Sequence, residues 1–443
     1  MRVFKGLLWT VVALLLALLA AFTWGRLRPP TPEQDRALTL LHKDLKPTTG
    51  RNADPWLWFM GFDLPADRVD AAYEQQRRRT AAWVESYKRG SGSDTPPEVQ
   101  ADFPKLPLMS SKERDLLCKP RDADCLGKVR AHRDEILALL ARHEKLRGRD
   151  EALSGFDYIW GDIPGWPFMS VPPFATGMGL WHTSIAVDFE DGKQAQAMDA
   201  ACSQVATMRR LHAHANSLAA TMVFAARLRG SVRLFSELLR EFPADASLPA
   251  SCAAAFAPVT AEDVDMCPSM QAEFAAVTAP EMFGRPEHWY ENWNWSGSQT
   301  QRLMAADYGA MCEPDLTQRL LADQHIDMAR HPPRVDLFDF ISNSAGTILS
   351  RIPVPSFDGY LARQQDTAAT LRMGALLIWM RDTPRDGTSP SQRLAQRPAW
   401  MRFAEDRHVA LSTDGRSLTM DMLDVEGRAG VPWPTTWTLP AQR

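Results

Sequence analysis

The chain has 443 residues, of which 45% are hydrophobic and 23% charged, and it carries a formal net charge of −4. This is the composition of a folded, water-facing body: it excludes a disordered chain and offers no polybasic footprint for nucleic acid. The length allows one large or two ordinary domains with a proper core.

The first element is Leu7–Trp24, LLWTVVALLLALLAAFTW, which has no charge and only Thr10 and Thr23 as polar side chains. At about 1.5 Å per residue the run reaches roughly 27 Å, enough to cross a thin hydrocarbon core. A cleaved secretory signal has a shorter apolar region and a small-residue cleavage site. Here Phe22 and Trp24 close the run, with Arg26 and Arg28 behind them. The expectation is an uncleaved signal anchor over residues 7–24, behind a cytoplasmic stub of residues 1–6. Arg2 and Lys5 nearly balance Arg26 and Arg28, so the positive-inside rule alone sets no orientation. The short stub favours export of the long carboxyl-terminal part. Abundant Ala and an excess of Arg over Lys add an association with bacterial chains. Together these features point to a single-pass protein of a bacterial inner membrane, held there through Leu7 to Trp24, with its bulk in the periplasm.

Pro29, Pro30 and Pro32 mark residues 25–36 as a stiff spacer, and Thr31-Pro32-Glu33-Gln34 reads as a capping box opening a helix to about Leu45. Residues 37–108 form an amino-terminal helical segment, with an amphipathic helix from about Asp67 to Arg89 and a Gly-, Ser- and Pro-rich loop to Leu108. Residues 109–400 form the main helical domain. It opens on a capping box at Ser110–Glu113, followed by a long amphipathic helix through Leu126, Ile136 and Leu146. From Gly155 to Asp188, prolines among aromatic residues predict an irregular connection with at most a short strand. The strongest helix runs from about Ala195 to Leu228 with Met198, Cys202, Val205, Met208 and His212 on one stripe, and Gly230 separates it from a shorter partner reaching Phe242. Further helices are expected near 261–264, 271–277, 299–311, 315–329, 344–350 and 357–381.

Residues 401–443 change period and form a small β region. Asp414-Gly415 favours a two-residue hairpin turn that pairs Leu411 with Leu418 and Val409 with Met420. A third strand through Val431 and Trp433, or through Trp437 and Leu439, is confined to an edge by Pro432 and Pro434. The fold class is therefore mainly α, an α+β body with a small carboxyl-terminal antiparallel hairpin or three-stranded sheet.

An exported chain with an even set of cysteines argues for bridges. Cys118 and Cys125 enclose CKPRDADC, a spacing that suits neither a zinc site nor a C-x-x-C redox centre. Proximity along the chain favours Cys118–Cys125 and Cys252–Cys267 as local loops, leaving Cys202–Cys312 as a long-range staple.

Four stretches carry residue types capable of chemistry. His212-Ala213-His214 lies in a helical period, so the two rings diverge and His212 faces the apolar stripe. Asp323, His325, Asp327 and His331 read as a solvated helix end, His331 favourable near the carboxyl-terminal dipole. Gly177-Met178-Gly179 is a glycine pair in a loop. RPEHWYENWNWSGS sets Trp289, Tyr290, Trp293 and Trp295 beside Glu287 and Glu291, the association of flat rings and carboxylates that glycan binding or cleavage uses. These six are the candidate binding residues and candidate catalytic acids. The sequence contains no HExxH, Walker loop, G-x-G-x-x-G or G-x-S-x-G motif, and it calls for no cofactor or metal. The favoured expectation is a non-enzymatic envelope binding, scaffold or assembly protein with another protein or a cell-wall component as partner. The alternative is a membrane-tethered envelope hydrolase acting on a glycan or cell-wall substrate.

Overall fold

The helices Gln194–Ala213 and Leu218–Glu241 lie side by side at the centre of the body. They are separate because the backbone at His214 and Asn216 pairs with Ile159 instead of continuing the helical ladder, and the Ser217 side chain caps the second helix. The single long helix expected across this region is thus two. The boundary expected at Gly230 lies inside the second one, where Pro120 packs so closely that a Cβ would fall 2.6 Å from its Cα. This is a computed structural model, and it describes residues 2–47, 49–88, 97–161, 172–279, 293–326, 335–351, 357–383, 387–405, 407–424 and 432–440.

Helix Leu180–Glu190 packs against both. It occupies part of the stretch read as irregular. Leu180, Trp181, Ile185, Ala186 and Phe189 are all buried, so the segment lacks the one-sided pattern that marks a surface helix. The long helix expected through Leu126 and Leu146 divides into Cys125–Ala131, Arg133–Arg142 and Glu144–Glu151, with breaks at His132 and His143.

The buried side chains form two cores. The larger joins Trp56 to Leu64, Leu126, Ile136 and the central helices. The smaller joins Ala37, Leu41, Met270, Phe274, Met304 and Tyr308. One 25-residue helix, Asp358–Asp382, runs through both, with Leu361 and Ala368 in the smaller core and Leu371, Leu376 and Met380 in the larger.

All six cysteines are bridged, as Cys118–Cys125, Cys202–Cys252 and Cys267–Cys312. The last two replace the expected Cys252–Cys267 and Cys202–Cys312. The physical reason is which helices touch. Gln194–Ala213 packs on Ser251–Ala255 and joins Cys202 to Cys252, while Cys267–Val277 packs on Gly297–Ala310, just before Cys312. Each bridge stays within one core, whereas both expected pairs would have crossed between cores.

The carboxyl-terminal sheet has the order β1 (Val409–Leu411), β2 (Ser417–Met420), β3 (Thr436–Thr438), all antiparallel. The hairpin register is the predicted one, Leu411 opposite Leu418 and Val409 opposite Met420. Gly415 supplies the positive φ of +68° that the turn needs. On the edge strand, Trp437 pairs with Leu418, and the Arg233 guanidinium lies 4.7 Å from the Trp437 ring centre. A buried ionic knot fixes this region to the helices. Arg407 grips Asp323 with two bonds of 2.7 and 2.9 Å and donates to Asp366 at 2.9 Å. Asp366 in turn accepts the backbone N–H groups of Leu423 and Asp424, both at 2.9 Å.

Candidate functional site: the junction of leader and body

Helix Arg2–Leu27 includes a 24-residue apolar stretch, Phe4–Leu27, long enough to cross a membrane and with none of its most apolar window buried in the body. It does not end in a free tether. The connection to the Thr31-capped helix Pro32–Leu41 is four residues, 28–31, rather than the spacer expected over 25–36. The last two turns of the leader are docked on helix Leu337–Ser342. A methyl at Gly25 would meet the Phe338 carbonyl oxygen at 2.6 Å, so glycine is what permits this approach.

Polar bonds lock the contact. Gln299 donates to the Gly25 carbonyl at 2.7 Å and to Ser342 Oγ at 2.6 Å. Arg28 pairs with both Asp336 and Asp339, the residues that form the capping box of the Leu337–Ser342 helix. Arg302 donates to the Arg28 carbonyl. Burial works to raise the Asp336 carboxyl, but hydrogen bonds from the Asp339 backbone and from Arg28 outweigh it and leave it below its ordinary range. Trp293 closes the side of the junction: its ring centre is 5.9 Å from that of Phe22, and its carbonyl accepts from Arg26 at 3.1 Å.

The two short helices at the junction, Leu337–Ser342 and Ser344–Arg351, are inverted in polarity. Their buried side chains are Asp339, Ser342, Thr347 and Ser350, none more than 6% exposed, and Asn343 between the two helices is buried as well. Their outward side chains include Leu337, Phe340 and Ile348, at 69%, 51% and 57% exposure. The polar side is satisfied by the neighbouring Gly297–Ala310 helix and its cap: Asn343 accepts from the Ser296 N–H at 2.7 Å and donates to Thr300 Oγ1 at 3.1 Å.

Sequence reasoning pointed near this place for a different reason. Of the Trp-rich candidates, Trp293 stands at the junction and Trp295 is partly buried beside it in sequence. Glu287, Trp289, Tyr290 and Glu291 lie outside the described residues. The Leu337–Ser342 helix was missed, although Asp336 and Asp339 at capping-box spacing were a signal for it.

The remaining candidates take structural places. His212 is buried, and burial pushes its pKa down to about 4 against the opposing pull of Asp263. His214 is at the helix end, on the other side, 3.9 Å from Glu262. Asp323 is not at a solvated helix end: helix Pro314–Leu321 stops short of it, and the side chain is buried in the Arg407 knot. His325 is exposed, and Asp327 and His331 lie outside the described residues.

Gly179 does line a small polar cavity of about 20 Å³, room for about one water, with Asp150, His182, Gln204, Arg227 and Ser231. Burial holds His182 neutral, its pKa down to about 4. Its Nδ1 faces Gln204 Oε1 at 3.1 Å and donates to it, since an amide oxygen can only accept; Ser231 Oγ donates to the same oxygen at 3.0 Å. Ser231 is therefore turned to Gln204 and the Arg227 carbonyl, not set against the imidazole as a nucleophile. Asp150 is occupied by Arg227.

Among the described residues, no group of three or more His, Cys, Asp or Glu side chains is placed to hold a metal ion. No family model matches the chain, and neither a curated protein nor a solved structure matches it.

Proposed function

We propose that this chain is a membrane-anchored envelope protein, its bulk on the periplasmic side of a bacterial inner membrane, working there as a non-enzymatic binding, scaffold or assembly protein. The observation that carries this reading is the docked leader: an apolar helix with none of its most apolar window buried is locked at one end to a body held by three disulfides. Bridges of this kind persist in oxidising compartments. A leader fixed by Gly25, Gln299 and Arg28 holds the body at a set height above whatever the leader crosses, which suits a protein that presents a surface to partners. Fusion of a phosphatase that needs disulfides to Arg443 tests the compartment, and an active fusion is expected. A fusion active only when the enzyme is one that works in a reducing cytosol overturns the reading. Crosslinking of the full chain in intact envelopes tests the role, with recovery of a defined envelope protein or cell-wall fragment as the expected result.

A further inference from the structure

We propose that the outward face of helices Leu337–Ser342 and Ser344–Arg351 is a lipid-seating surface, lying in the headgroup and acyl boundary of the same bilayer that the leader crosses. The proposal rests on the membrane reading of the leader and adds that the body itself is partly immersed. Three observations carry it.

The first is the inverted polarity. In a water-facing helix pair, apolar residues turn inward and polar ones outward, because burial of apolar area is the main favourable term in folding. Here Asp339, Ser342, Asn343 and Thr347 are inside, while Leu337, Phe340 and Ile348 are outside. Scattered exposed apolar residues are ordinary, but an inward polar side and an outward apolar side on the same two helices are not.

The second is position. The Phe4–Leu27 stretch spans about 36 Å as a helix, against about 30 Å for a hydrocarbon core, so its last turn lies at the boundary. Gly25 is in that turn and touches the Leu337–Ser342 helix at backbone distance. That helix cannot stand away from the boundary if the leader spans.

The third is the ring chemistry at the same level. Trp24 and Trp293 are both exposed there, and Trp is the residue favoured at membrane interfaces. Continuity with the leader commits the face to lipid rather than to a soluble partner.

The test uses the full-length protein in vesicles of phosphatidylethanolamine and phosphatidylglycerol, with the photo-reactive analogue p-benzoylphenylalanine in place of one residue at a time. Leu15 reports on the leader, Phe340 and Ile348 on the proposed face, and exposed Glu135 on the water-facing body. Lipid adducts at Phe340 and Ile348 comparable with Leu15, and about tenfold above Glu135, are expected for side chains seated at the boundary. Adducts at Leu15 with none at Phe340 and Ile348 overturn the seating surface while the membrane reading stands. No adduct at any of the positions overturns the membrane reading, and this inference with it. Protein adducts in place of lipid adducts at Phe340 overturn it in favour of a protein occupant. All four probe positions are exposed in the fold, so none of these outcomes depends on refilling a core site.

Discussion

Two of the places where this molecule buries polar side chains face different exteriors. In the knot around Asp366 the buried groups are charged and paired, and the helix that carries Asp366 is buried on nearly every side. At the junction, the buried Ser342, Asn343, Gln299 and Thr300 are neutral, Arg28 pairs with Asp339 and with the half-exposed Asp336, and Leu337, Phe340 and Ile348 stand outside. Buried polarity alone is therefore not what distinguishes the junction. Its apolar exterior is, and the lipid contact proposed above is what covers it. The lesson is that the same device, a hydrogen-bonded polar interior, closes a core in one place and fits a surface to a second medium in the other.

The comparison breaks most sharply at Arg407. Arg407→Met leaves Asp323 and Asp366 buried without their shared cation, and removing one partner of such a knot costs about 3–5 kcal/mol. Chemical denaturation of the full-length protein in detergent, followed by Trp fluorescence, should show that loss. A change below about 1 kcal/mol would mean the interior is held by packing and not by charge.

Next in size is the covalent brace of the body. Cys202→Ser together with Cys252→Ser opens a bridge that spans 50 residues of chain, and the expected loss is about 2–4 kcal/mol in the same measurement. Peptide mapping without reduction should recover Cys202 with Cys252 and Cys267 with Cys312. Recovery of the pairs expected from chain proximity would dissolve the assignment of one bridge set to each core.

At the junction, Asn343→Leu removes the acceptor for the Ser296 N–H and the donor to Thr300, for about 1–3 kcal/mol. Hydrogen exchange should quicken at residues 296–300 and 337–351 and stay unchanged at 194–241. Equal acceleration in both regions would mean that the two interiors form one cooperative unit.

How far these regions could be read from the sequence follows from the range of the forces that build them. The Thr31 and Ser110 capping boxes and the hairpin register at Leu411 and Leu418 are local, set by residues a few positions apart, and were legible. The leader was legible as an apolar run, but its docking was not, because Gln299 and Asp339 meet it from more than 270 residues away. Helix Leu180–Glu190 was hidden because it is buried on most sides, Thr183 and Ser184 among its buried residues, and so shows no one-sided apolar stripe. The bridges at Cys202 and Cys267 depended on which helices pack, which spacing does not encode. At the junction the usual rule that apolar faces turn inward does not hold: Leu337 and Phe340 stand outside.

The smallest effect, and the one that separates the regions by sign, is in their response to pH. Burial pushes the Glu237 carboxyl up to about 7, while the N–H groups of Leu126 and Cys125 that it accepts, at 3.2 and 2.8 Å, pull it down. A carboxyl whose folded pKa is raised contributes stability that is complete below its unfolded value, about 4.5, and is lost as pH climbs through about 7. Wild type should therefore lose stability against Glu237→Gln between about pH 5 and about pH 8, the glutamine keeping an acceptor without a charge. Asp336 runs the other way, since its carboxyl is held below its ordinary range: its contribution is present above that range and disappears as pH falls through the folded value. Asp336→Asn should flatten only the acid limb, and by less, because half of the side chain is open to solvent that screens its pair with Arg28. Slopes of one sign for both variants would show that the burial of Glu237, and with it the contrast between a closed core and a boundary surface, has been read wrongly.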